Sequence, residues 1–502
     1  MYFSFETIPA VVCVFIATYI IYWIKKPRIS KNEPPMVPYK FPIIGHTLDY
    51  LFNAENFLAE CRQKYGDPFN IYVFGQVITL AGSEAAHEVY KHIDTFNLLS
   101  ATRDTFPLHR VLKSFGDPET MEQVVKTIRE GITAKLPLYT GRIQKKLMFS
   151  INKEIGDCSN PKLIRTANGD FSSLIARPVA DVLVGQEISN NEDVIKAFAN
   201  FIRDFTSILA IPPILSFIHP KVHTQVITLP LRFGWNPIGK HVITLKKYLK
   251  PVLEKRLRDK EIFGDKYEPP LDIIEYLLNK PEYETKVITD DYLNNICEFL
   301  FIFIVTSIHT TSRHLTSALY DFAGRPELWD DIYEEQVRID KECNGELSPQ
   351  HIDKMVKLDS FVRESFRNFG TVVAVPHRCL DESYTFKNGK TIPKGRIVQT
   401  YLMDIHYNTT AYGPEPKSFL PYHGLKNNFS ASKTDKNYFT FGSGKRACPG
   451  RFFAVHEIKM GMHKIILNYH IKTPSGKIEK KIRYGTIGMP PVAGLIFENR
   501  KK

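Results

Sequence analysis

Apolar residues are concentrated in one uncharged run at the start of the chain. Ile8 to Ile24 contains no charged residue and, with the apolar residues before it, approaches the ~20 residues that a helix needs to cross a bilayer. Lys25-Lys26-Pro27-Arg28 follows directly, so the positive-inside rule places everything after it in the cytosol. A cleaved signal peptide would carry basic residues before the run and a small-residue cleavage site after it, and this chain has neither. We therefore predict a retained transmembrane anchor over residues 1–24.

Prolines interrupt the chain immediately after the basic cluster, at Pro34, Pro35, Pro38 and Pro42. Proline stiffens an extended segment and cannot continue a helix. Residues 25–43 are therefore predicted to be a basic, proline-rich linker, and residues 44–502 to fold behind it.

Short segments with strand composition are bounded by turn signals. The residues from Asn70 to Leu80 surround Gly75-Gln76 and predict a hairpin, as do Tyr384 to Ile392 around Asn388-Gly389. Thr371 to Pro376 and Arg396 to Leu402 are predicted to be further strands. These short strands indicate small sheets.

Helical segments broken by proline and glycine dominate residues 84–300. Thr289, followed by two acidic residues, is a candidate N-cap for a long helix ending near Gly324, and Pro326 suits the first turn of the next helix. Residues 211–234 are apolar, aromatic and interrupted by proline. They are too broken to span a membrane and are predicted to form an interfacial patch, a substrate-entry lid or ordinary core.

Charge and cysteine content narrow the functional classes. The net charge is +12, but no basic block is interleaved with aromatic residues as a nucleic-acid site would require. The cysteine count is odd, and no pair has the C-x-x-C spacing, which disfavours a disulfide framework and a zinc site. The seven cysteines are Cys13, Cys61, Cys158, Cys297, Cys343, Cys379 and Cys448.

One of these cysteines lies in a glycine-broken loop, Phe441-Gly-Ser-Gly-Lys-Arg-Ala-Cys448-Pro-Gly450, directly before a helix-forming run. A helix N-terminus stabilises a thiolate. Gly444 and Gly450 permit close approach of the backbone to a flat partner, and Arg446 places a forked cation two residues before the thiolate. A single thiolate beneath a planar dianion is the arrangement that a cysteine-ligated haem requires.

The loop matches the pattern F-x-x-G-x-R-x-C-x-G at Phe441, Gly444, Arg446, Cys448 and Gly450. By this pattern the chain resembles the haem-thiolate monooxygenases of the cytochrome P450 superfamily. The resemblance implies one domain, mainly α with small β-sheets, behind a single N-terminal transmembrane helix. It also implies haem b as cofactor, Cys448 as the iron ligand, and Phe441, Gly444 and Arg446 in the haem-binding loop. The alternative is a lone buried cysteine behind a glycine turn.

The long predicted helix contains Thr306-Ser-Ile-His309-Thr310-Thr311-Ser. Hydroxyls within a helix can bond to i−4 carbonyls and loosen the ladder, and in the family this helix opens here to admit dioxygen. The resemblance assigns Thr310 to oxygen activation. His309 stands where the family has an acid, as in eukaryotic sterol 14-demethylases, and is predicted to relay protons. The alternative is a polar helix interior without chemistry.

Glu364 and Arg367 have the i, i+3 spacing of a pair on one helix face. On sequence alone this could be a surface pair, but its position resembles the family's E-x-x-R. The family's third clamp residue is an arginine in P-x-x-F-x-P-x-R, and here His423 takes that place. Because imidazole lacks the guanidinium fork, the resemblance predicts a weaker or pH-sensitive clamp.

Two further cations resemble family residues that bind the haem propionates. Arg378, in Pro376-His-Arg-Cys379, occupies the position after the clamp helix. The family's W-x-x-x-R is represented only by Val125-Lys-Thr-Ile-Arg129, so Arg129 or Lys126 is the candidate there.

Several apolar residues fall where the family lines its substrate pocket, which implies a lipophilic substrate. The local motifs are most similar to fungal microsomal members that oxidise steroids and terpenoids. The predicted lining is Phe106, Phe301, Ile304, Val305, Val373, Val375, Ile487 and Met489.

The resemblance implies hydroxylation with O2 and with electrons from NADPH through NADPH–cytochrome P450 reductase, with cytochrome b5 as a second candidate donor. It places the protein in the endoplasmic reticulum membrane as a single-pass protein with a cytosolic catalytic domain. The sequons at Asn408 and Asn428 are then expected to stay unmodified. The alternatives are a reductase-independent isomerase or dehydratase, and a non-enzymatic membrane-tethered haem protein. Turnover with and without NADPH and reductase separates these functions.

Overall fold

The computed structural model describes residues 26–165, 171–210 and 213–501, together with Tyr19, Ile20 and Trp23. The predicted membrane anchor, residues 1–24, therefore lies almost entirely outside the described residues. Within the described part, one helix is long and apolar enough to span a membrane, Asp290–Ala323, and most of it is buried in the protein. That helix is part of the core.

Helices make up most of the described chain, and short helices alternate with long ones. The α-helices are α1 Thr47–Phe52, α2 Ala54–Tyr65, α3 Ser83–Lys91, α4 Leu98–Thr102, α5 Pro118–Thr127, α6 Leu136–Glu154, α7 Ser172–Ser189, α8 Glu192–Thr206, α9 Pro220–Ile227, α10 Leu229–Arg232, α11 Gly239–Phe263, α12 Ile273–Leu278, α13 Asp290–Ala323, α14 Trp329–Glu342, α15 Pro349–Asp353, α16 Val356–Phe369, α17 Leu402–His406, α18 Thr409–Tyr412, α19 His423–Lys426 and α20 Arg451–Asn468. A π-helical segment, Ile128–Thr133, continues α5. The prediction of a mainly α fold is confirmed.

Short strands form small sheets around these helices. They are β1 Phe69–Val73, β2 Gln76–Ala81, β3 Phe96–Asn97, β4 Lys162–Ile164, β5 Ala374–Cys379, β6 Ser383–Thr385, β7 Thr391–Pro393, β8 Ile397–Tyr401, β9 Tyr469–Lys472, β10 Ile482–Tyr484, β11 Ile487–Met489 and β12 Leu495–Asn499. The five-stranded sheet has the order β1-β2-β8-β5-β3, and smaller sheets pair β4-β12-β9, β6-β7 and β10-β11.

Both predicted hairpins are present. In the first, β1 and β2 pair antiparallel with Ile71 opposite Ile78, and the turn between them contains Gly75 at φ +71°. In the second, Tyr384 lies opposite Ile392, with Gly389 at positive φ in the turn. Glycine adopts this backbone conformation without the cost that a β-carbon adds.

The central helix α13 is surrounded by α7, α8, α11, α16 and α20. The Thr289 hydroxyl accepts a hydrogen bond from the Tyr292 backbone N–H, which confirms the predicted N-cap. Leu315 packs against Gly461 of α20, where the absent side chain lets the two helices approach. This contact fixes the helix that follows Cys448 against the long helix that carries Thr310.

The second part of the predicted linker already contacts the sheet. Glu33 forms a 2.6 Å ion pair with Arg396, the Asn70 side chain donates to the Pro34 carbonyl, and Val37 is buried. The chain therefore docks on the domain before residue 44, where Pro34 is buried while Pro35, Pro38 and Pro42 stay exposed.

The proline-interrupted segment 211–234 contains short helices in its described part, from Pro213 onward. Its apolar side chains are divided between surface and interior. Phe233 is 81% exposed, whereas Ile227 is buried. Phe217 contacts the ring of Phe74 in the β1–β2 turn. The segment therefore covers the first hairpin and presents an apolar outer surface.

Candidate active site

The cysteine loop is a compact turn that delivers Cys448 to the start of a long helix. The Cys448 backbone N–H donates to the Phe441 carbonyl at 2.8 Å, which closes the loop on itself. The helix α20 begins at Arg451 with Gly450 as its N-cap residue. Cys448 therefore lies just before a helix N-terminus, as the sequence predicts.

Two glycines give this loop its shape. Gly442 and Gly444 have φ values of +73° and +59°, which side-chain-bearing residues rarely adopt. Gly442 lines the cavity beside Cys448, whereas Gly444, the first residue of the turn Gly444–Arg446, does not. The motif identified Gly444, but it treats residue 442 as variable and so gave no signal for Gly442.

Cys448 is the exposed cysteine among the described residues, and the other five are buried. Protein nevertheless surrounds its sulfur, and burial raises the pKa of the thiol, while the Gly450 N–H and the Arg451 charge oppose this rise. The two observations agree because the exposed surface of Cys448 faces an interior cavity of about 1310 Å³. No disulfide joins the described cysteines.

The opposite wall of that cavity is one face of α13. Phe303, Thr306, Ser307, Thr310 and His314 line it and recur at the three- and four-residue spacing of a single helix face. Cys448 and Thr310, which are far apart in sequence, thus line the same cavity.

The hydroxyls of this face are held by their own helix. Thr306 donates to the Ile302 carbonyl, Ser307 to Phe303 at 2.6 Å, and Thr310 to Thr306 at 2.7 Å. The predicted i−4 bonds are therefore present. The helix is nevertheless continuous from Asp290 to Ala323, so the expected opening of its ladder does not occur; the hydroxyl bonds supplement the backbone ladder and do not replace it.

His309 does not line the cavity. Its side chain is buried, its Nε2 has no hydrogen-bond partner among the described residues, and burial together with the nearby Arg313 charge lowers its pKa to about 4. The reason is helical phase, since His309 is turned about 100° from Thr310 around the axis. The geometry gives the predicted proton relay no support.

The predicted apolar lining is largely wrong, and helical phase is again the reason for the residues on α13. Phe106 and Val375 line the cavity, but the other six predicted residues do not. Phe301 stacks on Phe201 of α8 at 4.5 Å, so the more apolar face of α13 packs on a neighbouring helix. The face that carries hydroxyls is left for the cavity.

Cations near the cysteine loop fit a planar dianion. Arg446 and Lys445 line the cavity from the loop, and Arg129 lines it from the π-helical segment after α5. Lys126 does not line the cavity, so Arg129 is the better of the two candidates from that helix. Two carboxylates at this end of the cavity would meet several positive charges.

His377, and not Arg378, faces the cavity from β5. Side chains alternate along a strand, so Val375 and His377 point to the cavity while Arg378 points away. Arg378 instead donates to the Ser100 carbonyl at 3.0 Å and pairs with Asp104 at 3.4 Å. Arg378 therefore does not line the cavity in which the resemblance places it, whereas the neighbouring His377 does.

Burial lowers the pKa of His377 to about 4, with the Arg446 charge as a further cause. Its Nδ1 lies 3.1 Å from the Val375 carbonyl, so Nε2 is the atom left to face an anion. A carboxylate beside Nε2 would raise this pKa and make Nε2 a donor.

Behind the site, Glu364 and Arg367 of α16 form the predicted pair deep in the protein. Arg367 donates to both carboxylate oxygens of Glu364, at 2.8 and 2.6 Å. It also donates to three backbone carbonyls, those of His406, Pro416 and Ser418. The pair thereby ties the segment after β8 to α16.

His423 is not part of this clamp. Its Nε2 lies 3.1 Å from the Ala411 carbonyl, and its ring packs on Tyr412. The Leu420 backbone N–H fills the remaining position on Glu364 at 2.7 Å. Backbone groups therefore complete the clamp, and the predicted pH-sensitive role of His423 is wrong.

The comparison with known families agrees with this geometry. A cytochrome P450 family model matches residues 34–496. The chain belongs to the cytochrome P450 family. This is a family of oxidoreductases, as the sequence predicts, and it implies haem iron as the cofactor and O2 as the co-substrate.

Curated fungal monooxygenases are similar along much of the chain. Cytochrome P450 monooxygenase 110 of Postia placenta is 25% identical over 495 residues, covering 93% of this chain and 92% of that protein. Cytochrome P450 monooxygenase olcJ of Penicillium canescens is 25% identical over 360 residues, covering 70% and 65%. Ent-kaurene oxidase of Gibberella intermedia is 26% identical over 371 residues, covering 70% and 65%. The chain thus aligns with nearly the whole of the first relative and about two thirds of the others.

The residues present fit the haem that the family implies. Cys448 Sγ faces the cavity, and iron at that sulfur would favour the thiolate, which burial alone disfavours. A β-carbon at Gly450 would lie 4.0 Å from Cys448 Sγ, on the surface that a flat ring must approach. Arg129, His377 and Arg446 would hold its carboxylates.

Proposed function

We propose that this P450 is a membrane-bound monooxygenase that hydroxylates a terpenoid or steroid with electrons from NADPH delivered by NADPH–cytochrome P450 reductase. The observation that carries the proposal is the single cavity that brings Cys448 opposite Thr310. Its volume of about 1310 Å³ exceeds the usual range of about 300–1,000 Å³ for small-molecule sites, which leaves room for a prosthetic group and a polycyclic substrate together.

The residues on the different walls of the cavity would have different chemical roles. When bound, the haem supplies oxygen binding and the oxidation of a C–H bond. Cys448 would hold the iron, and charge donated from its Sγ would favour cleavage of the O–O bond. The Thr310 hydroxyl, now donating to the Thr306 carbonyl, has lone pairs facing the cavity and can orient a proton donor there.

The substrate class follows from the lining and from one relative. Away from the cysteine loop the cavity is bounded by apolar side chains, including Phe106, Phe115, Val182 and Leu183. Ent-kaurene oxidase is, by its name, an enzyme that oxidises a diterpene hydrocarbon. A rigid apolar skeleton of that kind suits this cavity.

The electron donor would dock beside the cysteine loop. Lys436 and Lys445 are exposed there and form no ion pair with any described residue. Unpaired lysines attract an acidic partner and set its approach. We assign this face to the reductase, with cytochrome b5 as a second donor, and place the catalytic domain on the cytosolic side of the endoplasmic reticulum.

The alternative function is that of a haem-thiolate isomerase or dehydratase, which rearranges a peroxide without O2 or reductase. Such relatives tend to lose the distal threonine, and here Thr310 faces the cavity. The hydroxyl disfavours an isomerase or dehydratase.

Reconstitution of the full chain with haem, reductase and lipid tests the proposal. A panel of diterpenes and steroids would be incubated with NADPH, and products would be analysed by mass spectrometry under 18O-labelled O2. We expect a product that gains one labelled oxygen only when NADPH and reductase are both present. Product formation without them, from a hydroperoxide alone and without label from O2, would favour the isomerase.

A further inference from the structure

A second cavity adjoins the first and has a different chemical character. Its volume is about 510 Å³, and four cationic side chains line it against one acid. We call it the basic vestibule, and its charged lining is Arg103, Arg110, Lys221, Arg378 and Asp104.

The vestibule adjoins the main cavity at α4 and the loop that follows it. Ser100, Arg103 and His109 line both spaces, so the two adjoin. No residue of the described cysteine loop, 441–450, lines the vestibule. The residues suited to hold the haem carboxylates, Arg129, His377 and Arg446, are also absent from its lining, so the vestibule is separate from the propionate site.

The single acid of the vestibule is already engaged. Asp104 lies 3.4 Å from Arg378, and its backbone carbonyl accepts a hydrogen bond from Thr224 of α9. Arg103, Arg110 and Lys221 form no side-chain hydrogen bond or ion pair with any described residue. Three cations therefore face the space without a counter-charge from the protein.

The pKa of His109 is affected by the same positive charges. Burial is the main cause of its lowered pKa, and the charges of Arg103 and Arg110 lower it further. The loop and α9 are joined by the Thr224 bond, so the cations from both elements face one space.

Resting on the proposed function, we propose that the basic vestibule binds the carboxylate of a lipophilic acid whose apolar body extends into the main cavity. An unpaired guanidinium gives a carboxylate a bidentate, charge-assisted contact. The large cavity next to it is lined by apolar residues. A ligand that fits both the cationic vestibule and the apolar main cavity is an amphiphile with one anionic end.

This arrangement would determine specificity as well as affinity. A carboxylate fixed in the vestibule sets which carbon of the body reaches the space between Cys448 and Thr310. The oxidised position would therefore lie at a defined distance from the acid group, remote from it along the skeleton.

The test compares an acid with its uncharged ester on the full haem-loaded chain in phosphatidylcholine nanodiscs. The probes are abietic acid and methyl abietate, with palmitic acid and its methyl ester as a second pair. Binding is measured by equilibrium dialysis, which needs no turnover. The variant is Arg110→Gln combined with Lys221→Gln, because these two residues line the vestibule only.

Loss of two charge-assisted contacts at a half-open site should weaken binding of the acid about tenfold. The ester should change less than twofold. Arg258→Gln and Lys145→Gln, exposed cations outside both cavities, are matched controls and should change neither ligand. Arg110→Glu should reverse the preference for acid over ester.

Equal effects on acid and ester, or no effect on either, would overturn the proposal. Displacement of the acid by millimolar inorganic phosphate would also overturn it, since the vestibule would then hold a free anion. If the acid binds in a charge-dependent way but yields no product with NADPH and reductase, the proposed function fails while the vestibule assignment stands.

Discussion

Replacement of Arg367 by lysine tests the buried clamp most stringently. Arg367 is 1% exposed and donates five hydrogen bonds, two to Glu364 and three to backbone carbonyls. Lysine keeps the charge but has one nitrogen, which cannot reach both carboxylate oxygens and the carbonyls at once. Breaking a buried pair of this kind costs about 3–5 kcal/mol. The Arg367→Lys variant should therefore unfold at much lower urea than the parent.

Urea unfolding followed by circular dichroism measures the effect, and the midpoint should fall by on the order of 1 M. Arg338→Lys is the matched control, because Arg338 is an exposed arginine paired with Glu342 at 3.6 Å. Such a surface pair contributes less than about 0.5 kcal/mol. Equal midpoints for the two variants would refute the reasoning.

Restoring the family arginine at His423 gives the converse test. The carboxylate of Glu364 is already filled by Arg367, the Leu420 N–H and the Asn368 side chain. His423→Arg should therefore leave the free energy of unfolding within about 0.5 kcal/mol of the parent. A gain of several kcal/mol in the free energy of unfolding would show that the Glu364 carboxylate lacks a partner in the parent protein.

Three further outcomes follow from the site and the topology. Thr310→Ala should retain haem but release more hydrogen peroxide per NADPH consumed, and unchanged coupling would remove its role in oxygen activation. His377→Ala should lose haem on gel filtration about tenfold faster than the parent, as expected for one lost charge-assisted bond, whereas Arg378→Gln should retain its haem. Faster haem loss from Arg378→Gln than from His377→Ala would instead support Arg378 as the propionate ligand. Asn408 and Asn428 should carry no glycan, so endoglycosidase treatment should not change the mobility of the protein. A mobility shift that vanishes when both residues are changed to Gln would place the domain in the lumen.

Features encoded in contiguous residues were predictable. The cysteine loop, both hairpins and the cap at Thr289 depend on neighbours in sequence, so turn chemistry and capping rules suffice. The pair Glu364–Arg367 was placed by spacing and by resemblance, and the structure adds its burial.

Which side chains of a strand or helix face the cavity could not be predicted from composition. His377 and Arg378 are adjacent in sequence, and only the pairing of β5 with β8 decides which side chain faces the cavity. On α13, apolar Phe301 is committed to a neighbouring helix, and Thr306 is left for the cavity. The residues of this helix that the resemblance assigns to the pocket, Phe301, Ile304 and Val305, do not line the cavity, because the core competes for its apolar face.

Features assembled from distant segments gave no sequence signal. The basic vestibule joins the loop around Arg103, the helix around Lys221 and the strand carrying Arg378. Each cation alone resembles a solvated surface charge. Their common orientation is a property of the fold.

The most direct test of the account is the ferrous–carbon monoxide spectrum of Cys448→Ser, with Cys343→Ser as the control. Cys343 is buried at the end of α14 and donates only to the Asp340 carbonyl, so its variant should keep the red-shifted Soret band of thiolate-ligated haem. Cys448→Ser should lose that band and all NADPH-dependent product formation. A Cys448→Ser protein that retains the band would contradict the assignment of Cys448 as the iron ligand and the function built on it.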